Sequence, residues 1–140
     1  MRILSIDYGK CRTGIAVTDP QQIIAGGLAT VSTSELMPFL GRYVAAEPVE
    51  RVILGRPVQT NGRPSDNLPR VMQFARLWSR EHPDIPIELV DERYTSVLAH
   101  RAMLDGGLRK KARQDKALVD KISAVIILED YLRAKTRNEK

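Results

Sequence analysis

The chain has 140 residues, 43% of them apolar, and a formal net charge of +5. That length fits one compact domain spanning 1–140, and that composition supports a hydrophobic core rather than a disordered tract. The single Cys11 excludes an internal disulfide or a thiolate metal cluster, no apolar run approaches the ~20 residues of a membrane helix, and nothing resembles a signal peptide, so a reduced, cytoplasmic protein is expected.

Arg2–Asp7 reads as an apolar strand closed by an acid, followed at once by a turn at Gly9–Cys11. Thr13–Thr18 is a second, β-branched strand, and the short gap predicts an antiparallel hairpin. Ile23–Val31 continues the hairpin series, with Gly26-Gly27 marking a bulge or bend. Ser32-Thr33-Ser34 before Glu35 has the pattern of a helix cap leading into Leu36–Ala46. Arg51–Leu54 is a short buried strand, and Gly55-Arg56-Pro57 opens a polar loop, Val58–Pro64, with a turn signal at Asn61-Gly62.

Ser65–Glu81 is predicted helical, with Leu68, Val71, Met72, Ala75 and Trp78 on its inner face. Ile87–Val90 is a fifth strand leading into Asp91-Glu92-Arg93. Tyr94–Asp105 is a helix stopped by Gly106-Gly107, and a final helix runs from Asp115 to Ala134. On that helix Leu118, Val119, Ile122, Val125, Ile126 and Leu132 form a broad apolar face. Hairpin strands followed by alternating helices and strands predict an α/β fold: a mixed five-stranded sheet flanked by helices, its last two strands parallel to the first.

Charge is unevenly placed. Residues 109–140 hold ten Lys/Arg against five Asp/Glu, whereas residues 1–108 hold twelve of each, so the whole excess lies in the last stretch. It is densest at Arg109-Lys110-Lys111-Ala112-Arg113, which suits either a polyanion partner or a solvated loop and tail.

Three acidic sites stand out against this frame. Asp7 ends the first strand, Asp91-Glu92 end the fifth, and Asp120 lies about one turn into the last helix. In open α/β sheets ligands gather where strand ends meet a crevice. Converging carboxylates there would repel one another unless divalent cations joined them, and carboxylate oxygens suit Mg²⁺ or Mn²⁺. Each acid also has a plainer role: Asp7 in the turn at Gly9, Asp91 or Glu92 as a cap for the helix near Arg93, Asp120 paired with Lys116 one turn back. His82 and His100 lack ligand spacing and read as surface residues, and Trp78 as core. Gly55–Gly62 lacks the Gly-Lys-Ser/Thr ending of a P-loop, although Arg56 and the backbone amides can hold a phosphate.

These residues resemble, in order and over nearly the whole chain, the YqgF (RuvX) family of RNase H-like nucleases associated with Holliday-junction resolution. The likeness rests on Asp7-Tyr8-Gly9 with Arg12-Thr13-Gly14-Ile15-Ala16 and Asp19, on Gly55-Arg56-Pro57 with Gly62, on Asp91-Glu92-Arg93-Tyr94-Thr95-Ser96, and on Lys116 with Asp120 ahead of Tyr131-Leu132. Thr18 and Ser96 replace the family's usual Ser and Thr, each keeping a hydroxyl. The resemblance implies an RNase H-like fold and divalent-metal nuclease chemistry on structured nucleic acid. Its substrates would be branched DNA or the precursor of 16S ribosomal RNA, whose 5′ end some members mature. It puts the family's acids on Asp7, Glu92 and Asp120, all three as metal ligands, with Asp7 bridging two ions. Glu92 is preferred to Asp91 because related resolvases use Glu there; the residues of this chain alone leave both open.

Arg12, Arg56, Arg93, Lys110, Lys111, Arg113 and Lys116 are the candidates for holding phosphates. Junction resolution would need two active sites and so a homodimer, whereas cutting one RNA strand needs only a monomer. The competing reading is a non-catalytic nucleic-acid-binding or ribosome-assembly factor on the same fold. A phosphotransferase of the wider fold family would need a second nucleotide-binding lobe, for which 140 residues leave no room.

Overall fold

The computed structural model describes residues 1–57, 66–92 and 116–138. β1 (Arg2–Tyr8), β2 (Arg12–Thr18) and β3 (Ala25–Ser32) come first. A 3-10 turn (Thr33–Glu35) leads into α1 (Leu36–Ala46), followed by β4 (Val49–Pro57), α2 (Leu68–Glu81), β5 (Ile87–Glu92) and α3 (Lys116–Asn138). The sheet order is β3-β2-β1-β4-β5. β1–β2 and β2–β3 are antiparallel, and β1–β4 and β4–β5 are parallel, which is the mixed five-stranded arrangement the sequence predicts.

β1 is central, and its residues alternate between two cores. Leu4 and Ile6 pack with Leu36, Leu40, Val71, Phe74 and Trp78 on the face covered by α1 and α2. Ile3 packs with Ala124, Ile127 and Leu128 on the face covered by α3. A strand sandwiched this way is apolar on both faces, so Ile3, Leu4 and Ile6 are all fully buried. Trp78 is core as expected, and its Nε1 donates to Ile85 O at 2.9 Å. His82 is half-buried rather than a free surface residue, because its ring stacks on Trp78 at 4.2 Å.

The inner face of α3 differs from the expected one. Val119, Ser123, Ala124, Ile127 and Leu128 are buried, while Leu118, Ile122, Val125, Ile126 and Leu132 are only partly covered. Ser123 and Ala124 are buried because the helix backbone lies directly on the sheet there. Ser5 Oγ donates to Ala124 O at 2.9 Å across that contact. Farther along, Tyr131 Oη donates to Glu88 Oε2 at 3.1 Å and accepts from Arg51 Nη1 at 2.8 Å, tying α3 to β4 and β5.

The β2–β3 connection is organised by Asp19. Its carboxylate accepts from Ile23 N at 2.8 Å, Ile24 N at 2.7 Å and Gln21 N at 3.2 Å. Gln22 takes a left-handed φ of 60°, which its side chain helps hold by reaching Met1 O and Glu50 Oε1 and receiving Lys135 Nζ. Past this turn β3 carries the expected bulge: Ile15 pairs with Ala29 but Ala16 with Gly27, leaving Leu28 as the extra residue. The Ile24 amide is the main cause lowering the Asp19 carboxyl below its ordinary 3.8, opposed by desolvation and reinforced by Ile23 and Gln21. A lowered folded value contributes stability above 3.8 that is lost as pH falls through the folded value. Asp19→Asn should therefore unfold more readily near neutrality and lose less stability on acidification to about pH 3. Chemical denaturation at both pH values reads this, and equal acid sensitivity in the two proteins would refute it.

Candidate functional site at the carboxyl end of the central strand

The β1–β2 turn is held from outside. Thr33 Oγ1 donates to Gly9 O at 2.7 Å and shares a hydrogen bond with Thr13 Oγ1 at 2.9 Å, while Thr33 N donates to Cys11 O at 2.9 Å. This corrects the predicted cap at Ser32-Thr33-Ser34: among the described residues neither the 3-10 turn nor α1 has a side-chain cap. The reason is that β3 extends to Ser32 and delivers Thr33 beside the turn, where its hydroxyl finds two partners. Gly9 is obligatory in this turn, since a Cβ there would stand 2.1 Å from Arg12 O. Cys11 is exposed, as a turn residue should be.

Asp7 is registered opposite Gly14 in the antiparallel pair, so both point to the same sheet face, the one covered by α3. There the backbone of α3 sits on Gly14. A Cβ at Gly14 would meet Asp120 O at 2.0 Å and Asp120 C at 2.3 Å. Gly27 gives the same helix room on β3, with Lys121 Cγ at 2.8 Å, and Thr30 Oγ1 donates to Ala117 O. Two acids far apart in sequence are thereby brought to one face at one end of the sheet: Asp7 from β1, and Asp120 from the start of α3. Asp120 is half-buried, as its neighbours Val119 and Ile122 predict. Its partner is Arg12, whose Nε donates to Oδ2 at 2.8 Å. Lys116 begins α3, with its side chain outside the described residues.

β4 and β5 run farther than predicted, and their ends decide which residues face α3. Gly55 pairs with Val90, Arg56 with Asp91 and Pro57 with Glu92. Ile87 and Leu89 belong to the core on the α1–α2 face, whereas Glu88 and Val90 face α3. Strand alternation thus gives Asp91 the parity of the α1–α2 face and position 92 the parity of the α3 face, which is that of Asp7. Asp91 is accordingly engaged elsewhere: Arg56 Nη1 donates to its Oδ1 at 3.3 Å. The Arg56–Asp91 pair and the Arg12–Asp120 pair stand on opposite faces of the sheet.

The side chain of Glu92 lies outside the described residues, as do Arg93, Lys110, Lys111, Arg113, the helix expected over Tyr94–Asp105, His100 and the loop expected over Val58–Pro64. Among the described residues no three His, Cys, Asp or Glu side chains stand together as metal ligands. The chemistry of the acids present fits a hard divalent cation, since Asp7 and Asp120 offer oxygen donors on one face. The sequence marked Gly14 as part of the family motif but not for its packing role. An isolated glycine within a β-branched strand signals close backbone approach, and here the approaching backbone is that of Asp120. Both Arg–Asp pairs were also overlooked; their partners are 108 and 35 residues apart, beyond the reach of local pattern.

The sheet order and the helix laid across β1 and β2 define an RNase H-like resolvase fold. Thermus thermophilus RuvC in complex with a Holliday junction superposes with a TM-score of 0.56 at 16% identity, covering 97% of this chain and 96% of that one. A Fowlpox virus resolvase bound to Holliday junction DNA gives 0.57 at 12% identity, covering 96% and 98%. At such identities the likeness is one of fold. The chain belongs to the RuvX family, described as Holliday junction resolvase, whose profile matches residues 1–134. A relative in Phocaeicola vulgatus, named "Putative pre-16S rRNA nuclease", is 60% identical over 134 residues, covering 96% of each chain. One in Porphyromonas gingivalis with the same name is 53% identical over 131 residues, covering 94% of this chain and 95% of its own.

Proposed function

We propose that this protein is a divalent-metal-dependent endonuclease that hydrolyses phosphodiester bonds in structured nucleic acid, with the 5′ end of precursor 16S ribosomal RNA as its principal substrate and branched DNA as the second. The observation that carries this reading is the delivery of Asp7 and Asp120 to one sheet face through the Gly14 contact. The names of the relatives support the substrate class.

Asp7, Glu92 and Asp120 would hold Mg²⁺ or Mn²⁺. The parity of position 92 supports Glu92, and the pairing of Asp91 with Arg56 on the other face weighs against Asp91. When bound, the ions supply an activated water and stabilise the leaving oxygen, so no covalent enzyme intermediate is required. The chain's own part is to fix carboxylate positions on rigid elements and to bind phosphates. Arg12, anchored on Asp120, stands at the edge of this site with a side chain still 44% exposed, so its guanidinium is available to a phosphate oxygen. Arg93, Lys110, Lys111, Arg113 and Lys116 would add sequence-independent attraction that weakens steeply with salt. Arg56 belongs to the opposite face and is the least suited of the cationic candidates to this site.

The test is parallel incubation of the purified protein with a precursor 16S ribosomal RNA fragment and a synthetic four-way junction, with Mn²⁺ and with chelator. Metal-dependent cleavage at the 5′ end of the RNA is the expected result. Cleavage of neither substrate, with no Mn²⁺ binding by calorimetry, would leave only a binding role.

A further inference from the structure

α2 has a second face that the cleavage chemistry does not use. Its inner side, Val71, Phe74, Ala75 and Trp78, is buried in the core opposite α3. At about 100° per residue, the outward side is centred on Arg76 and Arg80, with Gln73 beside them and Arg70 at the margin. All four are exposed. The helix carries no acid before its last residue, Glu81. Among the described residues none of Arg70, Arg76 and Arg80 forms an ion pair, unlike Arg2, Arg12, Arg51, Arg56 and Arg133. Arg76 and Arg80 stand one turn apart, a repulsive spacing for like charges. A face kept merely for solubility mixes both signs. Gln73, Arg76, Leu77 and Arg80 line an open depression of about 360 Å³.

We infer that this face of α2 grips the phosphodiester backbone of the substrate away from the cleavage site, an inference that rests on the proposed nuclease reading. The occupant follows from charge and geometry: unpaired guanidinium forks match phosphate oxygens two at a time. The placement agrees. Asn67 Nδ2, just before α2, donates to Tyr8 O at 2.8 Å, so the helix begins beside the strand end that carries Asp7. From Arg70 to Arg80 the stripe runs about 15 Å away from that end. A strand held at Asp7 would reach this stripe past the carboxyl end of β1.

The experiment is fluorescence anisotropy with labelled precursor 16S ribosomal RNA fragment and labelled four-way junction across a salt series, using the full chain. R76Q/R80Q is expected to bind roughly tenfold more weakly and to lower the slope of log affinity against log salt by about 2. Its KM should rise while its kcat at saturating substrate is unchanged. R76K/R80K should keep the slope, because both charges remain. R133Q, which removes the partner of Asp130 on α3, should match the wild type. An unchanged slope in R76Q/R80Q, alongside cleavage that depends on Asp7, overturns the role of α2 and leaves the nuclease reading standing. A wild-type chain that neither binds nor cuts either substrate overturns both.

Discussion

Asp7→Asn is expected to lower Mn²⁺-dependent cleavage by more than about 100-fold, beyond the loss usual for outer-shell partners of a metal site. The substitution keeps shape and removes one charge and the hard anionic donor that a divalent ion selects. Asp7 lies near the carboxyl end of the central strand and shares its face with Asp120. Asp120→Asn should behave similarly, with one difference: it also deprives Arg12 of its partner at 2.8 Å. That pair is partly exposed, so its loss costs little stability, about 0.2–1 kcal/mol. Both variants should melt within a few degrees of the wild type without metal and lose the rise in Tm that Mn²⁺ produces in it. Initial rates and thermal scans with and without Mn²⁺ check this. Undiminished cleavage in both variants would end the proposed mechanism.

Gly14→Ala should destabilise the fold by about 3 kcal/mol or more, at the upper end of overpacking effects. The added Cβ would stand 2.0 Å from a main-chain oxygen of α3, which cannot rotate away as a side chain can. Either β2 or the start of α3 must shift, and the shift moves Asp120. The variant is thus expected to lose cleavage even where it remains folded, since misplacement by about 1 Å costs about 100-fold in such sites. Gly26→Ala is the matched control. Among the described residues nothing lies within 4 Å of a Cβ there, so its denaturation midpoint should hardly change. A Gly14→Ala protein as stable as Gly26→Ala would show that α3 does not rest on β2 as described.

The legible parts of the fold were those written in local periodicity. The apolar run Arg2–Asp7, the β-branched run Thr13–Thr18 and the short gap between them mark the hairpin, and the bulge was visible in Gly26-Gly27. The ends of β4 and β5 were harder to read. Gly55-Arg56-Pro57 has the composition of a loop, yet its pairing with Val90-Asp91-Glu92 keeps it in the sheet. Neighbouring backbone supplies hydrogen bonds that side-chain type does not reveal. The inner face of α3 was misphased for a related reason. Leu118, Val119, Ile122, Val125 and Ile126 spread apolar surface around much of the helix, so hydrophobicity alone does not say which side is buried. Close approach of backbones chose Ser123 and Ala124 instead.

The same division holds at the site. Sequence alone determined that carboxylates close β1 and β5 and stand early in α3, because residue identity and strand ends are local properties. It also placed the excess positive charge late in the chain. Only the tertiary structure decided that Asp7 and Asp120 share a face, that Asp91 turns to the other one with Arg56, and that Arg12 belongs to Asp120. Those outcomes depend on pleat parity between paired strands and on one missing side chain at Gly14, which lets a helix more than a hundred residues away lie against the sheet.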